Sequence, residues 1–263
     1  MRKRLFKLGS FVLAGALCTS IAATPILAEE EKPSADLTVG FYSQYIWRGW
    51  ELSRDSLVIQ PSMTVSYKGF SANVWGNFDT DQNEYFGDET SNWNETDFTL
   101  SYDGSVDKIG YSLGYIYYDL EGAEDTQEFY AGASLDILLA PTLTVYRDTD
   151  TSPGWYITLG VSHSFPVTEK YSLDIGLQIS YWDVDDESTY ADPDDSGDAY
   201  SNFHDGILSA AMSFPVGEYF TITPELNYIF PLSDDAEDFM EAESVSGDDD
   251  DFIYGGVSVS FAF

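Results

Sequence analysis

The chain is almost without cysteine, with one, Cys18, in 263 residues. Leu17 precedes it where a lipid-attachment signal needs a small side chain, so Cys18 is not read as a lipoprotein anchor. It lies inside a segment with the layout of a cleaved secretory signal. Met1-Arg2-Lys3-Arg4-Leu5-Phe6-Lys7 is cationic, residues 9–23 are nearly all small or apolar, and Ile26-Leu27-Ala28 precedes Glu29-Glu30-Glu31. The expected organisation is a signal peptide over 1–28, a short N-terminal periplasmic segment over 29–36, and one domain over 37–263. Without its signal the chain has no cysteine, so no disulfide holds it in the oxidising compartment it enters.

Cations are nearly as scarce. Four of the 11 Lys and Arg fall within residues 1–7, which leaves seven against 46 Asp and Glu and a mature net charge of −39. That sign excludes nucleic acid as a partner and opposes docking on anionic lipid head groups. Long apolar runs are missing after the signal, so a membrane crossing could be made only by strands. Histidine is missing too, apart from His163 and His204. No nucleophile, base and orienting group assemble from the sequence, so no catalytic residue is expected and the chain is not read as an enzyme.

Aromatics are abundant instead, at 16% of residues, which separates this acidic chain from a disordered one. They sit within period-two alternation, the mark of strands with one apolar face. Alternating stretches start near residues 37, 57, 70, 98, 109, 129, 143, 155, 171, 208, 220 and 252. Short turns near 68, 105, 140, 167 and 216 alternate with longer, mostly acidic loops. In this scheme Leu37 to Trp47 is one continuous strand, Trp50 to Ser56 a loop, Asp103-Gly104 the start of a turn, and 231–251 an acidic connection. Tyr67, Phe70, Tyr102, Tyr111, Phe165, Tyr171, Phe214, Phe220 and Phe263 gather at the short-turn ends. Trp47, Phe78, Tyr117, Phe129, Trp155, Tyr181 and Tyr228 gather at the long-loop ends. Twelve strands, loop lengths in strict alternation and two aromatic girdles predict an all-β fold, a transmembrane antiparallel barrel of a Gram-negative outer membrane.

Two stretches resemble known barrels. Phe252 to Phe263, with Ile253, Val257, Val259, Phe261 and Phe263 on one face, resembles the closing strand of bacterial outer-membrane barrels. That resemblance implies that Phe261 and Phe263 form the signal read by the barrel assembly machinery. The run Gly40-Phe41-Tyr42-Ser43-Gln44-Tyr45-Ile46-Trp47-Arg48-Gly49, then Gln60-Pro61, then Gly69 to Asn77, resembles the opening of the TorF-type porin family. It covers about 40 residues and implies an outer-membrane barrel of porin type.

Parity places Gln44, Arg48, Gln60, Asn73, Asn77, Asp136, Asp174, Gln178, Glu225 and Asn227 toward the lumen as pore-lining candidates. Three of them are acidic and one is basic, so a water-filled lumen would favour cations. Arg48 is expected to pair with a loop carboxylate such as Glu51 or Asp79. The expected function is passive diffusion of small hydrophilic solutes. The alternative is a structural or interaction barrel with a plugged lumen, because Tyr42, Trp75, Tyr118, Tyr130, Tyr146 and Trp182 also face inward. In that case the acidic loops would meet divalent cations, lipopolysaccharide or a partner. Asp192, Asp194 and Ser196 space their oxygens as a calcium loop begins, but Phe203 stands where the closing Glu should be. Loosely held Ca or Mg ions at the outer loops are the one cofactor expectation, and outer-membrane lipid and lipopolysaccharide are the expected surroundings.

Overall fold

A computed structural model describes residues 32–53, 56–81, 92–168, 170–193, 197–245, 247 and 249–263. The expected signal peptide, Asp194 and Ser196 lie outside these residues. The elements in chain order are β1 (Ser34–Tyr42), β2 (Ile46–Trp47), β3 (Trp50–Glu51), β4 (Val58–Tyr67), β5 (Phe70–Asp79), β6 (Asn92–Val106), β7 (Ile109–Leu120) and β8 (Thr126–Leu135). They continue with β9 (Thr142–Asp148), β10 (Gly154–Pro166), β11 (Ser172–Val184), β12 (Ser201–Met212), β13 (Phe214–Val216), β14 (Phe220–Pro231), α1 (Asp234–Glu243) and β15 (Phe252–Ala262).

Sequential strands pair antiparallel from β4 round to β14, with β13 a short continuation of β12. β1 pairs with β4 on one side and β15 on the other, so the sheet closes as a twelve-stranded barrel. Closure leaves no edge, which is the condition for a sheet to sit in hydrocarbon with every backbone group paired. The seam aligns Leu37 with Phe261 and Val39 with Val259. Two hydrogen bonds of 3.0 Å between Ala35 and Phe263 fasten its end.

The alternation has a direct physical reading. In β1, Leu37 and Phe41 are exposed while Thr38, Gly40 and Tyr42 are buried, and comparable patterns run round the barrel. Apolar side chains on the outer wall and polar or aromatic ones inside reverse the arrangement of a water-soluble domain. Pro61 sits within β4, where the β4–β5 pairing skips Gln60 and Pro61. The missing N–H falls in that gap, and Gln60 Nε2 bridges it by donating to Asn77 Oδ1 at 3.0 Å.

Four expectations need correction. The turn at Asp103-Gly104 is not there: β6 runs on to Val106, pairing Asp103 with Ser112, and the chain reverses at Asp107, whose φ is 56°. Asp136 is not on the lumen wall. β8 ends at Leu135, and Asp136 is exposed in the connection to β9. The first strand stops at Tyr42, so Tyr45 and Trp47 are not part of it and Trp47 does not join the outer girdle. Residues 231–251 are not all loop, since α1 lies among them.

Candidate functional site

Six residues of the first outer connection fold into the barrel as a hairpin, β2 and β3, with Ile46 opposite Glu51 and Trp47 opposite Trp50. Arg48 and Gly49 form its two-residue loop with φ of 45° and 93°. Two positive φ values define a type I′ turn, whose twist suits a tight hairpin. Gly49 is needed twice over, because a Cβ there would lie 2.9 Å from the Met240 sulfur. Arg48 lacks glycine's freedom and sits in the left-handed region at a cost of about 1–2 kcal/mol.

The Arg48 side chain shows what offsets that strain. Its Nη2 donates to Glu128 Oε1 of β8 at 2.5 Å, and both side chains are buried. Tyr118 donates to the other Glu128 oxygen at 2.8 Å. The guanidinium carbon lies 4.3 Å from the Tyr156 ring centre and 4.5 Å from that of Trp47. Tyr146 and Trp182 complete the cage at 5.7 and 5.8 Å. A buried ion pair is tolerable when its remaining hydrogen-bonding capacity is met, and the rings add cation–π attraction in a dry setting. The pairing expected with Glu51 or Asp79 is therefore replaced by one across the bore. Glu51 instead accepts from Gln44 Nε2 at 2.7 Å.

The backbone of the hairpin tip is held by His204. The Arg48 carbonyl can only accept, so His204 Nε2 donates to it at 2.7 Å, and His204 Nδ1 lies 2.8 Å from the Tyr200 hydroxyl. His204 and Asp205 are neighbours on β12, yet both are fully buried. A register shift between β11 and β12 explains this, because a bulge re-aims one residue so that two in succession point inward. Asp205 then accepts from Tyr156 at 2.7 Å and from Ser180.

Above the tip, Trp50 stacks on Trp182 with ring centres 5.2 Å apart and planes 13° from parallel. Phe239 of α1 meets both rings, at 5.6 and 5.5 Å. The helix starts at Ser233, whose Oγ accepts from the Ala236 N–H, and Asp234, Asp235 and Glu237 complement the positive end of its dipole. The segment after α1 is tied to the hairpin: Glu51 N–H donates to Ser244 Oγ at 3.1 Å, and Val245 N–H to Glu51 O at 3.0 Å. Tyr190, from the outer connection of β11 and β12, covers the stack, and burial pushes its hydroxyl up to about 12.

The inner half of the bore differs. Asn73 Nδ2 donates to Ser62 Oγ at 2.8 Å and Thr64 Oγ1 at 2.9 Å. Ser66 and Ser71 lie 2.8 Å apart, as do Thr38 and Ser260. Ser164 donates to Asp174. These side chains are short, and many stay partly exposed to the bore.

Of the lumen candidates, Gln44 and Arg48 belong to the plug. Gln60, Asn73 and Asn77 line the β4–β5 wall, and Asn77 donates to Asn94 at 2.8 Å. Asp174 and Gln178 lie on β11, while Asn227 on β14 donates to Glu225 at 3.3 Å. Tyr42, Tyr118, Tyr130, Tyr146 and Trp182 are buried inside, and Trp75 is half-buried against Tyr45. Phe261 packs between Phe220 and Phe263 at the inner rim, with ring centres 5.0 and 5.2 Å away. Asp192 N–H donates to Asp198 O at 2.8 Å. Among the described residues no group of three or more His, Cys, Asp or Glu is placed to hold a metal ion.

Sequence reasoning missed Glu128, His204, Asp205 and α1. Parity from Phe129 would have turned Glu128 inward. Ala236, Phe239 and Met240, spaced at helical intervals behind a Ser cap and an acidic first turn, would have marked the helix.

Fold and lumen define a membrane-type β-barrel with a self-inserted plug. No protein-family model matches the chain, and no curated protein matches it. Solved structures do. The KdgM porin aligns with TM-score 0.52 and 11% identity over 88% of this chain and 99% of that one. The COG4313 outer membrane channel from Pseudomonas putida F1 aligns with TM-score 0.52 and 9% identity over 93% and 98%. At such identities the likeness is one of fold.

Proposed function

We propose that this chain is an outer-membrane channel of porin type for small hydrophilic solutes, with cations favoured. The observation that carries the reading is a closed barrel with an apolar outer wall around a polar inner one. Among the described residues eight buried side chains are carboxylic acids, while Arg48 is the only buried Arg or Lys. Such an imbalance favours cations in the bore. The inner half offers hydroxyls and amides to a hydrated solute, and the hairpin sets the narrowest point. The likeness in fold to the KdgM porin and the COG4313 channel supports the channel reading. The opening motif supports a TorF-type relationship, and the first 28 residues support export to a Gram-negative outer membrane.

The hairpin and α1 favour a second reading, a structural or interaction barrel whose acidic outer loops meet divalent cations, lipopolysaccharide or a partner. Conductance of the refolded mature protein in a planar bilayer, under a salt gradient, separates the two. Discrete steps with a cation-side reversal potential are expected. A folded barrel that stays silent would sink the channel reading and leave the second.

A further inference from the structure

The cage around Arg48 is built almost wholly by the barrel wall, and its occupant comes from a loop. Tyr118, Glu128, Tyr146, Tyr156 and Trp182 stand on five successive strands, β7 to β11. Each backbone is locked into the sheet on both sides. The guanidinium they surround is carried by a hairpin of two-residue strands. A wall carboxylate fixed by a tyrosine hydroxyl, below rings that present their faces, is a receptor for a flat organic cation.

We infer that this cage is a binding site for guanidinium-bearing cations, and that Arg48 is its tethered occupant, so that a free ligand of this class competes with the hairpin for the same pocket. Glu128 supplies the charge-assisted hydrogen bond, and Tyr156 and Trp182 supply ring faces. Lysine-type ammonium ions fit worse, since a point charge gains less from stacked rings than a planar fork does. A tethered competitor acts at an effective concentration in the millimolar range, so it masks the site against weaker free ligands. The inference rests on the channel reading only in that the pocket anchors the constriction proposed there, and binding is read without conduction.

The variant that empties the cage is Arg48→Asn. Asn-Gly is the preferred pair for a type I′ turn, so the hairpin keeps its geometry while losing its cation. Tryptophan emission of the detergent-refolded protein would be titrated with L-arginine amide, with L-citrulline amide as the neutral isostere. The expected result is saturable binding to R48N about tenfold or more tighter than to the wild type, no response to citrulline amide, and loss of binding in R48N/E128Q. Equal affinity of R48N and wild type, or unchanged binding in R48N/E128Q, overturns the inference. Should R48N fail to fold, the wild type decides: a saturable response to tens of millimolar arginine amide, absent with citrulline amide, supports the site, and no response overturns it. A protein that binds but never conducts keeps the cage and loses the channel, whereas one that conducts but never binds does the reverse.

Discussion

The two halves of this lumen solve one problem in opposite ways. Both are the inside of the same sheet and follow the same alternation. The inner half keeps short hydroxyls and amides that satisfy one another along the wall. The outer half carries Tyr118, Tyr130, Tyr146, Tyr156 and Trp182 at the equivalent inward positions and draws a hairpin and a helix into the remaining space. Large rings reach toward the axis, exclude water and raise the energy of any unpaired charge, so Arg48 and Glu128 must find each other there. The same inward parity gives a wall of short polar side chains at one end and a ring-packed core at the other, and the size and polarity of the inward side chains set which.

Removing the largest ring should break the contrast most. Trp182→Ala deletes a fully buried side chain at the centre of the stack and should destabilise the barrel by about 3–5 kcal/mol, read as a lower urea midpoint. Unit conductance should rise if the plug sets the constriction. Glu128→Gln keeps the shape but strands the Arg48 charge in a dry site, with an expected loss of about 3 kcal/mol. Adding Arg48→Asn to it should recover part of that loss, and a double-mutant cycle with no coupling would show that the pair is not the anchor. Ser66→Ala removes one half-buried hydroxyl bond in the inner half and should cost about 0.5 kcal/mol, with conductance little changed.

The smallest effect concerns pH at the outer rim. Arg147 bonds Asp185 in two places and holds that carboxyl below its usual range. A depressed carboxylate stabilises the fold above its unfolded value of 3.8 and loses that contribution as pH falls through the lower folded value. The pair is mostly exposed, so the contribution stays below about 1 kcal/mol. Hydrogen-exchange protection, corrected for the intrinsic rate, should fall in the loops at 149–153 and 185–193 as pH drops below about 4, and Arg147→Gln should remove that pH dependence. Glu243 behaves oppositely, since burial raises its carboxyl and the end of α1 gains stability as pH falls through that raised value.

Much of the barrel was legible because strand parity is a local property. Twelve alternating stretches, the seam residues of β15 and most of both girdles follow from the order of side chains along each strand. The reading failed where alternation continues without a strand. Tyr45, Ile46 and Trp47 extend the pattern of β1, and nothing local says that the chain turns into the bore after Tyr42. That depends on the space left by rings on β7 to β11, up to 140 residues further along the chain at Trp182. Glu128 and His204 were hidden for the same reason, since one faces a hairpin 80 residues away and the other is re-aimed by a bulge.

The sequence by itself determined the architecture, because period-two alternation and alternating loop length leave a closed antiparallel barrel as the arrangement that puts apolar faces outward without exposing an edge. Only the tertiary structure decided that a hairpin and a helix fold into the outer half and that the Arg48 guanidinium, the one buried among the described residues, is clasped by the far wall. Closure of the cylinder brings remote strands to face a common axis, and that distance is not written in any local stretch.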